Sequence, residues 1–161
     1  MSIKNKFEER ISIEQVEEST SFAPKFDQDG LIPVVTTDFS TGEVLMQGYM
    51  NLEAFSMTLE IGEAVYYSRS RQQVWHKGKT SGLVQIIKEI RIDDDQDCVW
   101  LRVDVKGGAS CHVGYRSCFY RSIPFSDKIK GKNKIELEFK ETKKVFDPIE
   151  VYGDAPNPTK L

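Results

Sequence analysis

Short runs of apolar and polar residues alternate along most of this chain, and one stretch keeps a helical period. Leu31–Thr37 and Glu43–Met50 are rich in β-formers, and Asp38-Phe39-Ser40-Thr41-Gly42 separates them, which predicts a hairpin. Asn51 then fits a helix N-cap, Leu52, Phe55 and Leu59 make one apolar stripe, and Gly62 fits the stop. Ala64–Ser70 predicts a strand and Gln72–Ser81 a polar loop. Leu83–Ile92 and Cys98–Val105 predict longer strands around the acidic run Asp93-Asp94-Asp95-Gln96-Asp97, and Gly107-Gly108 a turn. Cys118–Ile123 and the alternating Ile135–Lys140 predict two more strands, the latter with one wet face. Pro148, Pro156 and Pro158 mark an irregular tail. Residues 1–29 are polar, with a short helix expected around Ile13–Glu18, and read as a mobile arm.

Many strands against one main helix predict an α+β fold with a mostly antiparallel sheet. No internal repeat is visible. The expected organisation is an N-terminal arm (1–29), a catalytic domain (30–125) and a C-terminal extension (126–161). A length of 161 residues suits one domain. A net charge of −3 argues against charge-driven nucleic-acid binding. The lysines from Lys128 to Lys134 have no interleaved aromatic residue and read as a solvated loop. No apolar run approaches the roughly 20 residues that span a bilayer. Met1–Arg10 is charged and lacks a signal-peptide core, so a cytoplasmic protein with no membrane partner is expected.

Three features carry chemistry. Cys98, Cys111 and Cys118 are too few for a disulfide framework, but they cluster. Cys111 and Cys118 can close on one zinc ion if the chain between them loops, and His112 is placed to be a ligand or a proton carrier. Buried, unligated thiols at strand ends are the alternative. Second, Asp93, Asp95 and Asp97 form a D-x-D-x-D pattern whose oxygens suit Mg²⁺. Cys98 stands where a calcium EF-hand needs glycine, so the other reading is a solvated acidic turn. Third, Ala64 to Lys88 contains no acidic residue but holds Arg69, Arg71, Lys77, Lys79 and Lys88 with Ser68, Ser70, Thr80 and Ser81. Such a stretch suits phosphate oxygens, and Tyr67 and Trp75 could stack on a base. Together the three features suit metal-assisted hydrolysis of a phosphorylated nucleotide.

Several motifs then resemble a known family. Gly42-Glu43-Val44-Leu45-Met46, Tyr49-Met50-Asn51, Tyr67-Ser68-Arg69-Ser70-Arg71, Trp75-His76-Lys77-Gly78, Thr80-Ser81-Gly82 and Ser117-Cys118-Phe119-Tyr120-Arg121 closely resemble phosphoribosyl-AMP cyclohydrolases, enzymes of histidine biosynthesis. The resemblance runs through about Gly30–Ile123 and covers neither the arm nor the tail. It implies hydrolytic opening of the N1–C6 bond of the purine ring of phosphoribosyl-AMP, and a homodimer sharing a zinc site across its interface. It also implies Mg²⁺ at Asp93, Asp95 and Asp97, and zinc at Cys111 and Cys118. His112 would be the acid/base, and Arg69, Ser70, Arg71, Trp75, Lys77 and Arg116 would bind the substrate.

One position departs from the family. Its third zinc cysteine usually lies between the first two metal aspartates, where this chain has Asp94. Cys98 could supply the missing thiolate, Asp94 could supply an oxygen, or the site could be incomplete. The last case leaves a noncatalytic zinc- or nucleotide-binding module as the alternative function. A hydrolase of another phosphorylated purine is a third reading.

Overall fold

The computed structural model describes residues 7–161, so the reading of Met1–Arg10 as a charged terminus lies partly outside the described residues. Its elements are α1 (Ile13–Glu18), β1 (Ile32–Asp38), β2 (Val44–Met50), α2 (Leu52–Ile61), β3 (Val65–Ser68), β4 (Gln73–His76), β5 (Gln85–Ile92), β6 (Val99–Val105), β7 (Arg121–Ser122), β8 (Glu138–Phe139) and α3 (Pro148–Tyr152). The class is α+β.

The main sheet has the order β2-β1-β6-β5. β1 and β2 form the expected hairpin, and β5 and β6 form a second one around the acidic turn. The two hairpins meet through a parallel pair, β1 with β6, from Val34 opposite Val99 to Asp38 opposite Val103. The sheet is therefore mixed rather than simply antiparallel. The alternation within each hairpin sets its own register, but nothing local encodes which free edges join or in which direction.

One sheet face makes the core. Ile32 and Val34 from β1, and Val99, Leu101 and Val103 from β6, are fully buried at every second position. Phe55 and Ala54 of α2 and Val65 and Tyr66 of β3 close over them. Asn51 starts α2 by accepting the Ala54 N–H at 2.8 Å. Gly62 stops it in the left-handed region, with its N–H on the Thr58 carbonyl.

Several expectations change. Gln73–His76, expected in a loop, pairs with β3 as a hairpin, because Val74 and Trp75 are strong strand formers and Trp75 lies opposite Tyr66. The predicted strands Cys118–Ile123 and Ile135–Lys140 shrink to β7 and β8 of two residues each, and Glu138 and Phe139 are both exposed. With no further sheet to join, alternation alone does not hold them extended. The tail contains the short helix α3, capped by Asp147 with Pro148 in its first turn. The arm is not loose: Phe7, Phe22 and Phe26 surround Phe55, with ring centroids 5.6, 5.8 and 6.5 Å from it. Among the described residues, no helix is long and apolar enough to cross a membrane.

Candidate active site

Residues 110–118, after β6, form a closed loop. Ser110 N–H donates to the Arg116 carbonyl at 2.9 Å and Cys111 N–H to the Tyr115 carbonyl at 3.2 Å. Cys118 N–H then bonds the Leu45 carbonyl at 2.7 Å, while the Ser117 hydroxyl bonds that of Val44 at 2.7 Å. The closure brings the Cys111 and Cys118 thiols close enough for each to bear on the other's ionisation. Cys111 is buried and Cys118 is exposed. The Cys118 thiol, a backbone N–H from Val113 and the charge of Lys77 lower Cys111 to about 6 against the effect of its burial. The Cys118 thiol is raised correspondingly.

The loop is pinned from the core by a polar chain that sequence reasoning missed. The Thr36 and Tyr66 hydroxyls share a bond of 2.7 Å, Tyr66 donates to Gln85 Oε1 at 2.6 Å, and Gln85 Nε2 donates to Ser110 Oγ at 3.1 Å. Gln85 is fully buried within the apolar run Leu83–Ile87, and a lone amide in such a run was the signal available. Lys77 adds a second pin: only 4 % exposed, it donates to the Ser110 carbonyl at 2.5 Å. Burial lowers its pKa, and the adjacent thiols oppose that shift. Gly78 permits the tight passage beneath, since at φ +84° a Cβ would run into the Leu83–Val84 backbone. His112 Nε2 is buried and, among the described residues, has no hydrogen-bond partner. Burial first, then Lys77, lowers the imidazole pKa.

The acidic turn lies elsewhere. Asp93, Asp95 and Asp97 place one oxygen each within 4.8 Å of one another. Asp93 Oδ1 accepts the N–H groups of Asp97 and Cys98 at 2.9 and 3.0 Å, which folds the turn tightly. Gln96, with φ +59°, points its side chain inward. It accepts the Ala23 N–H at 2.9 Å and donates to the Val16 and Ser21 carbonyls at 2.9 and 3.0 Å. The N-terminal arm thus holds this turn, and the one non-acidic residue of the run marked the plug. Cys98 is half-buried beside the carboxylates, and burial followed by those charges raises its thiol pKa. Asp94 is exposed.

The turn joins the end of β5 to the start of β6. The thiol loop follows β6 and is fixed to the starts of β2 and β5, at the sheet's other end. Seven strand residues at roughly 3.3 Å each put the two about 20 Å apart within one chain. Neither Cys98 nor Asp94 therefore joins the thiol pair of its own chain.

The basic residues divide as well. Arg69, Ser70 and Arg71 sit together at the exposed β3–β4 turn, with Arg69 over the Tyr49 ring at 4.1 Å and Arg71 over the Trp75 ring at 5.6 Å. Lys77 lies over the other side of the same hairpin, 4.9 Å from the Trp75 centroid, and faces the thiols rather than open solvent. Arg116 points away to an acidic cluster, with its Nε on Glu43 at 2.8 Å and its Nη2 3.7 Å from Asp38.

The thiol loop sets two thiols and the buried Lys77 ammonium beside His112, and the comparisons with known proteins place the chain among the cyclohydrolases. The family model for phosphoribosyl-AMP cyclohydrolase matches residues 46–120. Over 142 residues the chain is 49% identical to a phosphoribosyl-AMP cyclohydrolase of Rhodopseudomonas palustris (strain HaA2), covering 88% of this chain and 93% of the relative. A namesake from Desulforapulum autotrophicum is 53% identical over 123 residues, 76% of this chain and 91% of its own. The chain belongs to the phosphoribosyl-AMP cyclohydrolase family, a family of enzymes.

Proposed function

We propose that this chain opens the purine ring of phosphoribosyl-AMP in histidine biosynthesis, with zinc held by Cys111 and Cys118 and Mg²⁺ held by Asp93, Asp95 and Asp97. The observation that carries the reading is the closed loop that sets both thiols beside buried Lys77 and the unpartnered His112 Nε2. The donor set fits zinc: two soft sulfurs already together, one easily ionised, with a lysine charge to offset thiolate. Three carboxylate oxygens within reach of one another fit Mg²⁺. Bound there, zinc would activate water toward the ring carbon C6, and Mg²⁺ would compensate substrate phosphate.

The chain's own residues do the rest. Water adds its oxygen to C6, the N1–C6 bond breaks, and one water proton ends on N1. His112 Nε2, free of internal partners and held neutral, is the group to carry that proton. Arg69, Ser70 and Arg71 at the β3–β4 turn would hold phosphate, and Trp75 would offer its face to the base. Lys77 serves the thiols instead.

Two thiols leave the zinc shell short by one protein ligand. With the acidic turn about 20 Å away along β6, the third donor, Cys98 with Asp94 as the alternative, comes from a second copy. The exposed Phe119, Ile123 and Phe125 that follow Cys118 give that copy an apolar surface to cover. The expected protein is a homodimer with shared sites.

The experiment is complementation. Cys118→Ser should lose zinc and turnover, and so should the double variant Cys98→Ala with Asp94→Ala. Mixed and refolded together at equal amounts, they should regain about a quarter of wild-type turnover, because half the dimers carry one intact site of two. No recovery, or full turnover by a zinc-free variant, would overturn the shared-site reading. Zinc and nucleotide bound without ring opening would favour the noncatalytic module that the Asp94 substitution raises.

A further inference from the structure

The C-terminal extension lies beyond the residues matched by the family model, yet it builds part of the thiol loop. Hydrogen bonds and one close backbone approach make this join. The Glu141 carboxylate accepts the Arg116 N–H at 2.9 Å through one oxygen and the Ser117 N–H at 3.1 Å through the other. Val145 N–H donates to the Gly114 carbonyl at 2.7 Å. Gly114, at φ +106°, lets the tail come close, since a Cβ there would lie 2.6 Å from the Phe146 carbonyl oxygen. Lys140 N–H bonds the Tyr120 carbonyl at 2.8 Å, continuing the β7–β8 pairing.

We infer that Glu141 is a positioning residue for the zinc ligands, and that the extension is a brace for the thiol loop. The physical reason lies in the backbone. From Ser110 to Cys118 the loop uses its own carbonyls for three bonds, and Leu45 fixes the Cys118 N–H. The N–H groups of Arg116 and Ser117 lie directly before Cys118, and among the described residues no main-chain carbonyl takes them. One carboxylate, with an oxygen for each, satisfies both and fixes the approach of Cys118 to Cys111. Without it, the Ser110 bond to the Arg116 carbonyl, the Arg116 side chain on Glu43, the Ser117 hydroxyl and the Cys118 N–H still hold the segment, but two adjacent N–H groups directly before Cys118 lose their acceptor and the separation of the two sulfurs is less tightly fixed. The requirement on the side chain is specific: glutamine offers one acceptor and presents a donor to the second N–H, and alanine offers none.

This inference rests on the zinc reading above, and the experiment separates the two. Full-length wild type, Glu141→Ala, Glu141→Gln, Cys118→Ser and the tail control Glu138→Ala are compared by zinc competition against a chromogenic chelator and by the sulfur-to-cobalt charge-transfer band after Co²⁺ loading. Glu141→Ala should bind zinc at least tenfold more weakly and show a weakened, shifted band. Glu141→Gln should fall between it and wild type, and Glu138→Ala should match wild type. Circular dichroism identifies any variant that has not folded, and the glutamine variant, closest in shape, then decides alone. Zinc affinity of Glu141→Ala and Glu141→Gln within twofold of wild type, with Cys118→Ser deficient, would overturn the positioning role and leave the zinc site standing. Equal affinity of wild type and Cys118→Ser would overturn the zinc reading and this inference with it.

Discussion

The acidic turn and the thiol loop sit at opposite ends of the same strand and are built in opposite ways. The turn carries its three carboxylates within five residues and folds on itself, through Asp93 accepting from Asp97 and Cys98. Gln96 ties it to the arm, through its side chain and through its carbonyl, which accepts the Lys25 N–H at 2.7 Å. The thiol loop brings its sulfurs together from seven residues apart and borrows its shape from four places: the β2 edge, the Gln85 chain, Lys77 and the tail. Mg²⁺ keeps several of its own waters and takes only a few carboxylates from a protein, so a locally folded turn suffices. Thiolate pairs on a tetrahedral ion demand fixed geometry, and a loop supplies that only when the surrounding fold determines it.

If that contrast holds, damage to the core should reach one end and spare the other. The largest effect is expected from Gln85→Leu. The substitution leaves Ser110 Oγ without its buried donor and removes the Tyr66 acceptor, and groups so orphaned cost about 1–3 kcal/mol each. The melting temperature should fall by roughly 5–15 °C, and the Cys111 and Cys118 thiols of the metal-free protein should react several times faster with a disulfide reagent. Mn²⁺ binding at the acidic turn should stay at its wild-type value. An unchanged melting temperature, or equal loss at both ends, would break the comparison.

The same contrast explains what was legible in the sequence. Hairpin, cap and stop could be read at Asp38–Gly42, Asn51 and Gly62 because each is fixed by residues within a few positions. The D-x-D-x-D pattern was legible for the same reason. The parallel seam between β1 and β6 was not, since it pairs residues about 65 positions apart through no local signal. Lys77 was read with the phosphate-binding residues because sequence shows a charge and not its burial. Glu141 gave no signal at all: its role exists only once the tail has folded back on Arg116 and Ser117. Phe22 and Phe26 were there to be read, but aromatic residues without a period gave the arm no element to belong to.

A smaller effect, confined to the other end, is expected from Gln96→Ala. It removes three hydrogen bonds between the turn and the arm, two of them buried, while the Lys25 bond to the Gln96 carbonyl remains, for a loss of about 1–3 kcal/mol. Amide exchange followed by mass spectrometry should quicken in 16–26 and 93–98 while 110–118 keeps its wild-type protection. Faster exchange in the thiol loop would mean that the two ends are mechanically joined.

The smallest effect separates the two ends by pH. Burial, and after it hydrogen bonding and repulsion from Asp93 and Asp95, raise Asp97 from the ordinary carboxylate value of 3.8 to about 6. A carboxyl raised on folding binds its proton more tightly in the native chain. Its contribution is therefore complete below the unfolded value and is lost as pH climbs through the window from 3.8 to about 6. The metal-free protein should lose a little stability across that window, under about 1 kcal/mol because the group is half-exposed and solvent screens it. Asp97→Asn, which has no proton to lose, should flatten the slope. Mg²⁺ at neutral pH should restore what deprotonation removed, since the cation takes the place of the proton among the three oxygens. Thermal melts at pH 4 and pH 7, with and without Mg²⁺, measure all of this. A slope that survives in Asp97→Asn would assign the titration to another group, and one that persists in saturating Mg²⁺ would mean that the carboxylates share no ion.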